Sequence, residues 1–389
     1  MLKKINTYSK NASIHFFNTC FYIKGYNRCL IYDLDRKKMY FIDLEMIDFI
    51  EKINNKPIDF IINEINNISN KDSINEWLNY LFDLDIYTFI PKNQVDAFPK
   101  VSTKFEEPYL VSNVVIRINR DEIHKSLINF LEKCNCEAIQ IQILYSLETN
   151  EIIDILNLIN KIFNGSGIKH IEVLINLKGN FLESILISSL NKFFLNKKNR
   201  INFIYLGNFS NQINEEKLNS KIILNKNSYI NGILDENERY ISSDIKVFFE
   251  SQNFNVYHNK KIIFENNNLY RSDKKLLMNF TNHQNDYDLF KKIINQKENI
   301  EFWEINKEKT IICSSCEFRF NCVDKNIPKL NKQNQYYFEI ECNYNPYISK
   351  WKDEDGYKTL AECGVISNEN GFSIDHDKIA EINKVLWGE

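Results

Sequence analysis

Cys313, Cys316 and Cys322 fall within one short stretch, Ile311-Ile-Cys-Ser-Ser-Cys-Glu-Phe-Arg-Phe-Asn-Cys-Val-Asp324, and Cys342 follows in Glu341-Cys-Asn-Tyr-Asn-Pro-Tyr347. The spacing is C-x2-C-x5-C-x19-C. A C-x2-C pair on a tight turn lets two thiolates converge on one centre, and two further cysteines complete a four-thiolate shell. Four buried thiols without a ligand are the plainer alternative, but chance rarely clusters three cysteines so closely in a chain of this size. Zinc and a [4Fe-4S] cluster both accept four thiolates, so ligand count leaves both open.

The remaining chemistry-bearing residues are dispersed. The chain has nine cysteines in all, an odd number, which argues against a disulfide framework in a long chain. Cys134 and Cys136 are separated by one residue at the end of an expected helix and read as helix-end or core thiols. Cys20 and Cys29 lie in strand-like runs and read as buried, and Cys363, beside Gly364, reads as a free thiol rather than a spare ligand. His15, His124, His170, His258, His283 and His376 have no spacing that would form a metal face. Asp375-His376-Asp377 reads as a solvated polar segment rather than a general base with its supports. No nucleophile–histidine–carboxylate set emerges, so no catalytic residue is assigned.

Composition narrows the classes. With 49 basic against 52 acidic residues there is no global positive field for nucleic acid or anionic lipid. Only 10 glycines are present, where average usage gives roughly 27, and no phosphate-cradling or dinucleotide fingerprint occurs. Neither a signal peptide nor an apolar membrane span is apparent, so a cytoplasmic protein with no membrane partner is expected.

The elements that must position the cysteines read in three blocks. Strands are expected from His15 to Ile23, Cys29 to Asp33 and Met39 to Ile42, followed by three helices. The clearest helix starts at a capping box, Ser73-x-x-Glu76, carries Ile74, Trp77, Leu78, Leu81 and Phe82 on one face, and stops before Pro91. This is a winged-helix-like pattern over residues 1–95, in which Phe16, Phe17, Phe21 and Tyr22 are expected to pack the core. Pro99 and Pro108 mark a linker over 96–110. Strands Val114 to Ile118, Ala138 to Leu144, His170 to Leu177 and Ile201 to Leu206 then alternate with helices near 121–133, 150–163 and 181–195. Such alternation implies an α/β fold with a parallel sheet, a full or partial barrel over 111–300. Further strand-like pieces fall at Lys221 to Leu224 and Lys261 to Tyr270, with a helix near 286–296, and the cysteine domain occupies 301–389.

The segment Cys316-Glu-Phe-Arg-Phe-Asn-Cys-Val-Asp324, with Cys342-Asn-Tyr-Asn-Pro-Tyr347, resembles the SPASM domain of radical-SAM peptide maturases. With Trp303-Glu-Ile-Asn-Lys307 and Val111-Ser-Asn-Val-Val-Ile-Arg-Ile-Asn119, it resembles the SPASM protein of grasp-with-spasm systems, strongly over 303–351 and diffusely elsewhere. The resemblance implies one [4Fe-4S] cluster on Cys313, Cys316, Cys322 and Cys342. It also implies a partial barrel of radical-SAM type, and an N-terminal RiPP recognition element that pairs a leader peptide against a strand edge. The implied partners are a ribosomally made precursor peptide and an ATP-grasp ligase.

The chain departs from that family where radical catalysis is done. A C-x3-C-x2-C loop should follow the first barrel strand, yet Asn119-Arg-Asp-Glu-Ile-His124 stands there. Strand 138–144 leads into Tyr145-Ser-Leu-Glu148 and not into Gly-Gly-Glu. A degenerate barrel is therefore expected, with no role for S-adenosylmethionine and no second auxiliary cluster, since 137–312 holds no cysteine. The leading expectation is a maturation partner that binds the precursor without radical-SAM catalysis. The alternatives are a peptide-modifying iron–sulfur enzyme of unknown reaction and a zinc-stabilised adaptor.

Overall fold

The computed structural model describes residues 12–67, 71–119, 123–178, 183–196, 198–208, 219–224, 240–280, 287–340, 342–368 and 371–388. The strands are β1 (Ala12–Phe16), β2 (Cys20–Lys24), β3 (Cys29–Asp33), β4 (Lys38–Ile42), β5 (Tyr87–Pro91), β6 (Asn113–Ile118), β7 (Ala138–Leu147), β8 (His170–Leu177), β9 (Phe203–Gly207), β10 (Ile222–Leu224), β11 (Tyr240–Ile241), β12 (Lys261–Glu265), β13 (Asn268–Arg271), β14 (Leu276–Asn279) and β15 (Cys322–Val323), with short hairpins beyond. Two compact units result. One comprises Met1–Phe105, Arg239–Val256 and Ile305–Glu389, the other Glu106–Glu238 and Tyr257–Glu304.

In the first unit, helices Leu44–Ile53, Ile58–Asn67 and Lys71–Asp83 follow the three-stranded antiparallel sheet β2-β3-β4. Residues alternate across a strand, and both sets here are buried. Cys20, Cys29, Ile31 and Ile42 face a core made with Ile47, Ile50, Ile61, Leu78 and Leu81 of the helices. Ile23, Leu30 and Tyr32 face a second core containing Phe248, Phe318, Phe320 and Tyr344. One sheet is thus the shared wall of the helical module and the cysteine segment, which is why every residue of β3 is buried.

Several expectations are refined here. The stretch from His15 to Ile23 is two strands, broken at a turn of Asn18 and Thr19. Tyr87-Thr-Phe-Ile-Pro91, passed over in the sequence, is a strand paired antiparallel with β1, and Pro91 is tolerated at its end. The third helix begins by Lys71, which leaves Ser73 inside the first turn rather than at the cap. Its apolar face is as expected, with Ile74, Leu78 and Leu81 buried. The linker does not start free of the module: the Asn18 side chain donates to the carbonyls of Phe98 and Pro99 at 3.0 and 2.8 Å, and residues up to Phe105 belong to the first unit. Residues 1–95, and 305–389 of the segment read as a separate domain over 301–389, share that unit.

The second unit is built on an eight-stranded sheet, order β10-β9-β8-β7-β6-β12-β13-β14. It is parallel from β10 to β12 and antiparallel beyond. Helices Lys125–Lys133, Thr149–Ile162 and Glu183–Leu195 connect its parallel strands. The fold is therefore mixed α/β with a large, mostly parallel sheet, as strand–helix alternation implied. One sheet face is apolar and buried through Val114, Ile116, Ile139, Ile141, Ile171, Val173 and Ile204. The other carries a polar chain across strands: Glu265 pairs with Arg117 at 3.2 Å, Arg117 donates to Gln142, Gln142 to Gln140, and Gln140 to Glu172. Strand β7 runs on through Tyr145 to Leu147. Residues 120–122 of the loop after β6, and His283, lie outside the described residues. No described helix is long and apolar enough to cross a membrane.

Candidate metal centre

The cysteine loop opens on a backbone of unusual geometry. Ile312 has φ 74° and ψ −58°, and the Cys313 amide donates to the Ile311 carbonyl at 2.9 Å. This is a γ-turn of the rare, strained kind, and a β-branched residue held there costs of order 1–3 kcal/mol. Cys313–Ser315 then form one 3-10 turn, closed by the Cys316 amide on the Cys313 carbonyl at 2.9 Å. That turn makes the C-x2-C spacing a close approach. Cys322 is held in β15, paired antiparallel with β11. Cys342 is fixed by its own loop, where the Tyr344 amide donates to its sulfur at 3.4 Å.

All four predicted cysteines line one cavity of about 460 Å³, together with Lys307, Arg319 and Asp324 and an apolar wall that includes Ile311, Leu360 and Phe372. The cysteines are half-buried free thiols. Among the described residues no three His, Cys, Asp or Glu side chains stand close enough to hold a single ion as they are.

Burial outweighs the neighbouring cations in this cavity and favours the protonated thiol at Cys313 and Cys316. Burial pushes the Cys313 thiol up, while Lys307 and a hydrogen bond with Thr310 pull it down. Burial likewise raises the Cys316 thiol well above its usual value, reinforced by Glu317, Cys313 and Cys322, against the Phe318 amide. Burial alone would lower the Lys307 ammonium, yet Cys322, Asp324 and Cys313 hold it above its usual range. Lys307 pairs with Asp324, and Arg319 reaches Glu308 at 3.6 Å. Four soft donors suit a thiolate-bound centre once a metal displaces their protons, and the two cations beside them are each paired with a carboxylate.

Sequence reasoning did not single out Lys307, Arg319, Asp324, Glu317 or Tyr344. They stand within the motifs quoted for the resemblance, where no role was assigned to them. Glu317 is fully buried and takes hydrogen bonds on one oxygen from Arg28 at 2.7 Å and Tyr344 at 2.5 Å.

The other cysteines lie elsewhere. Cys134 and Cys136 are buried in the second unit, and burial pushes each thiol up to about 12. Cys20 and Cys29 are buried in the first core with thiols likewise pushed up to about 12 by burial. Cys363 is fully buried with Tyr347, Ile348, Val365 and Ile379 and accepts from the Asn345 amide at 3.3 Å. The Asp375-His376-Asp377 segment is exposed, as expected, and also makes local contacts. Asp375 caps the helix His376–Trp387 by accepting from the Lys378 amide at 3.0 Å, and His376 Nδ1 lies 2.9 Å from the Tyr26 hydroxyl. His258 and His15 are buried against Ser272 and Asn55.

Compared with protein-family models and with curated proteins, the sequence gives no match.

Proposed function

We propose that this chain is a maturation partner for a ribosomally made peptide. In this reading it holds one [4Fe-4S] cluster on Cys313, Cys316, Cys322 and Cys342, captures the precursor's leader, and acts with an ATP-grasp ligase without radical-SAM catalysis. The observation that carries it is the arrangement of those four thiols around a single cavity of about 460 Å³. Four thiolates on one zinc ion sit about 3.8 Å apart, as tetrahedral bonds of ~2.3 Å require, closer than the described side chains stand. A cubane cluster is bound at four separate irons and spreads its thiolates wider. When bound, it would cross-link the loops and contribute folding free energy directly.

The N-terminal sheet supports a leader dock. Among the described residues β4 pairs only with β3, so its outer edge offers unpaired backbone groups for strand addition. Beside that edge stand Tyr40 and the helix residues Trp77 and Tyr80, the latter two in edge contact at 5.7 Å between centroids. Tyr40 is close enough to Tyr80 for its hydroxyl to be raised, after burial and Asp33, by that neighbour. Sequential parallel strands β6 to β10 support a degenerate partial barrel of radical-SAM type, and no C-x3-C-x2-C motif occurs among the nine cysteines.

The test begins with anaerobic purification and metal analysis, where about four irons and four sulfides per chain are expected. Zinc in their place would replace the cluster by an adaptor site. The protein is then incubated with a candidate precursor peptide and an ATP-grasp ligase, with and without S-adenosylmethionine. Faster ligase-dependent modification, unchanged by the cofactor, is expected. Cofactor cleavage, or a mass change the ligase does not make alone, would overturn the non-catalytic reading.

A further inference from the structure

The stretch between Cys313 and Cys322 touches the β2–β3 hairpin at every other step. The Tyr26 amide donates to the Ser315 carbonyl at 2.8 Å. Arg28 Nε donates to Glu317 Oε1 at 2.7 Å, and the Tyr32 hydroxyl donates to the Glu317 carbonyl at 2.8 Å. Arg319 donates to the Lys24 carbonyl at 2.8 Å. A Cβ on Gly25 would stand 2.8 Å from Glu317 Oε2, so the hairpin tip and this carboxylate are in close contact.

From the hairpin the contacts pass to the edge strand. The Arg28 guanidinium lies 3.6 Å over the ring of Phe41 on β4, and Phe41 meets Phe318 edge-on at 5.8 Å. Arg28 also donates to the Tyr344 hydroxyl at 3.2 Å, and Tyr344 follows the fourth cysteine by two residues. Segment 313–322 has little ladder of its own, one 3-10 turn and a two-residue strand. Its order must come from these contacts and from whatever joins its thiols.

We infer that loading the cysteine site orders the β4 edge through Glu317 and Arg28, so that the leader dock is competent only in the metal-bound protein. The inference rests on the metal and dock readings above and adds a dependence of one on the other. A device of this kind would keep metal-free chains from capturing precursor. The contact route is local, running from Cys316 to Glu317, to Arg28, to Phe41.

The test uses the full-length protein, prepared metal-free and then supplied anaerobically with ferrous iron and sulfide. Hydrogen–deuterium exchange is followed in β4, with β1 and β5 as reference strands, and metal uptake is read by iron analysis. Metal should slow exchange over 38–42 by about tenfold or more and leave 12–16 and 87–91 unchanged. Arg28→Met should take up the same iron but lose the β4 protection, and Arg28→Lys, which keeps a charge but not the planar stack, should retain part of it. Iron uptake without β4 protection in the unaltered protein overturns the coupling alone. Full protection in Arg28→Met overturns the route through Arg28. Absence of iron uptake overturns the metal reading, and the coupling with it.

Discussion

Arg28 and Glu317, 289 positions apart, form a 2.7 Å ion pair in which the Glu317 side chain is wholly inaccessible and the Arg28 side chain 23% accessible. A buried carboxylate that loses its partner retains the cost of desolvation without the compensating attraction. Arg28→Met should therefore destabilise the first unit by about 3 kcal/mol, the low end for a broken buried pair because Arg28 is partly wetted. Urea unfolding followed by Trp351 and Tyr signals measures this. A double-mutant cycle with Glu317→Gln should return a coupling of at least about 1 kcal/mol, and additivity of the two changes would show the pair to be energetically idle.

Replacing Cys313, Cys316, Cys322 or Cys342 by Ser should abolish or sharply reduce bound metal. Cys134→Ser and Cys136→Ser should leave it at the unaltered level, because those thiols are buried in the other unit. Metal content and the visible spectrum after anaerobic purification report both sets. Equal loss from both would put the centre elsewhere.

A fragment ending near residue 95 should not fold into a working dock. Residues 1–95 read in sequence as a module of their own, and strand pairing is local. But the fragment strips one face of β2 and β3, leaving Ile23, Leu30 and Tyr32 without Phe248, Phe318, Phe320 and Tyr344. Exposing a patch of this kind favours association or loose packing. Weak near-ultraviolet dichroism and dye binding are expected of the fragment; a sharp cooperative melt would show that the helical core suffices.

Asp273 supplies a pH-dependent term in the second unit. Burial raises its carboxyl, but the bidentate hydrogen bonds from Arg271, at 2.9 and 2.6 Å, and that residue's charge outweigh this and hold it below its usual value. A carboxyl depressed on folding stabilises above its unfolded value, about 3.9, and that contribution is lost as pH falls through the lower folded value. Asp273→Asn should thus cost about 1–3 kcal/mol at pH 7. Measured against the unaltered protein, the difference should be flat near neutrality and shrink below about pH 4. A difference that grows on acidification would reverse the assignment.

The four cysteines and the parallel sheet were legible because their signals are local: spacing in one case, strand–helix alternation in the other. The union of 1–105 with 305–389 was not. Cys29-Leu-Ile-Tyr32 is an unbroken apolar run, which signals burial on both faces, but nothing in it names Phe318 as the partner. Glu317 and Arg28 are ordinary charged residues in sequence, and only tertiary packing makes them a buried pair. β5 was overlooked because Tyr87-Thr-Phe-Ile is short and ends in a proline, and its pairing with β1 closes a loop of some seventy residues.

Because the first unit is completed by residues after 305, its assembly has a temporal order during synthesis. The β2-β3-β4 sheet leaves the ribosome with its helices but waits through some two hundred residues, about 10–40 s at ordinary translation rates, for the segment that covers Leu30 and Tyr32. Meanwhile the intervening sheet can form from strands that are mostly neighbours in sequence. The nascent chain must therefore carry an apolar β surface through much of its synthesis, which makes the first hundred residues the natural client of a chaperone acting at the ribosome.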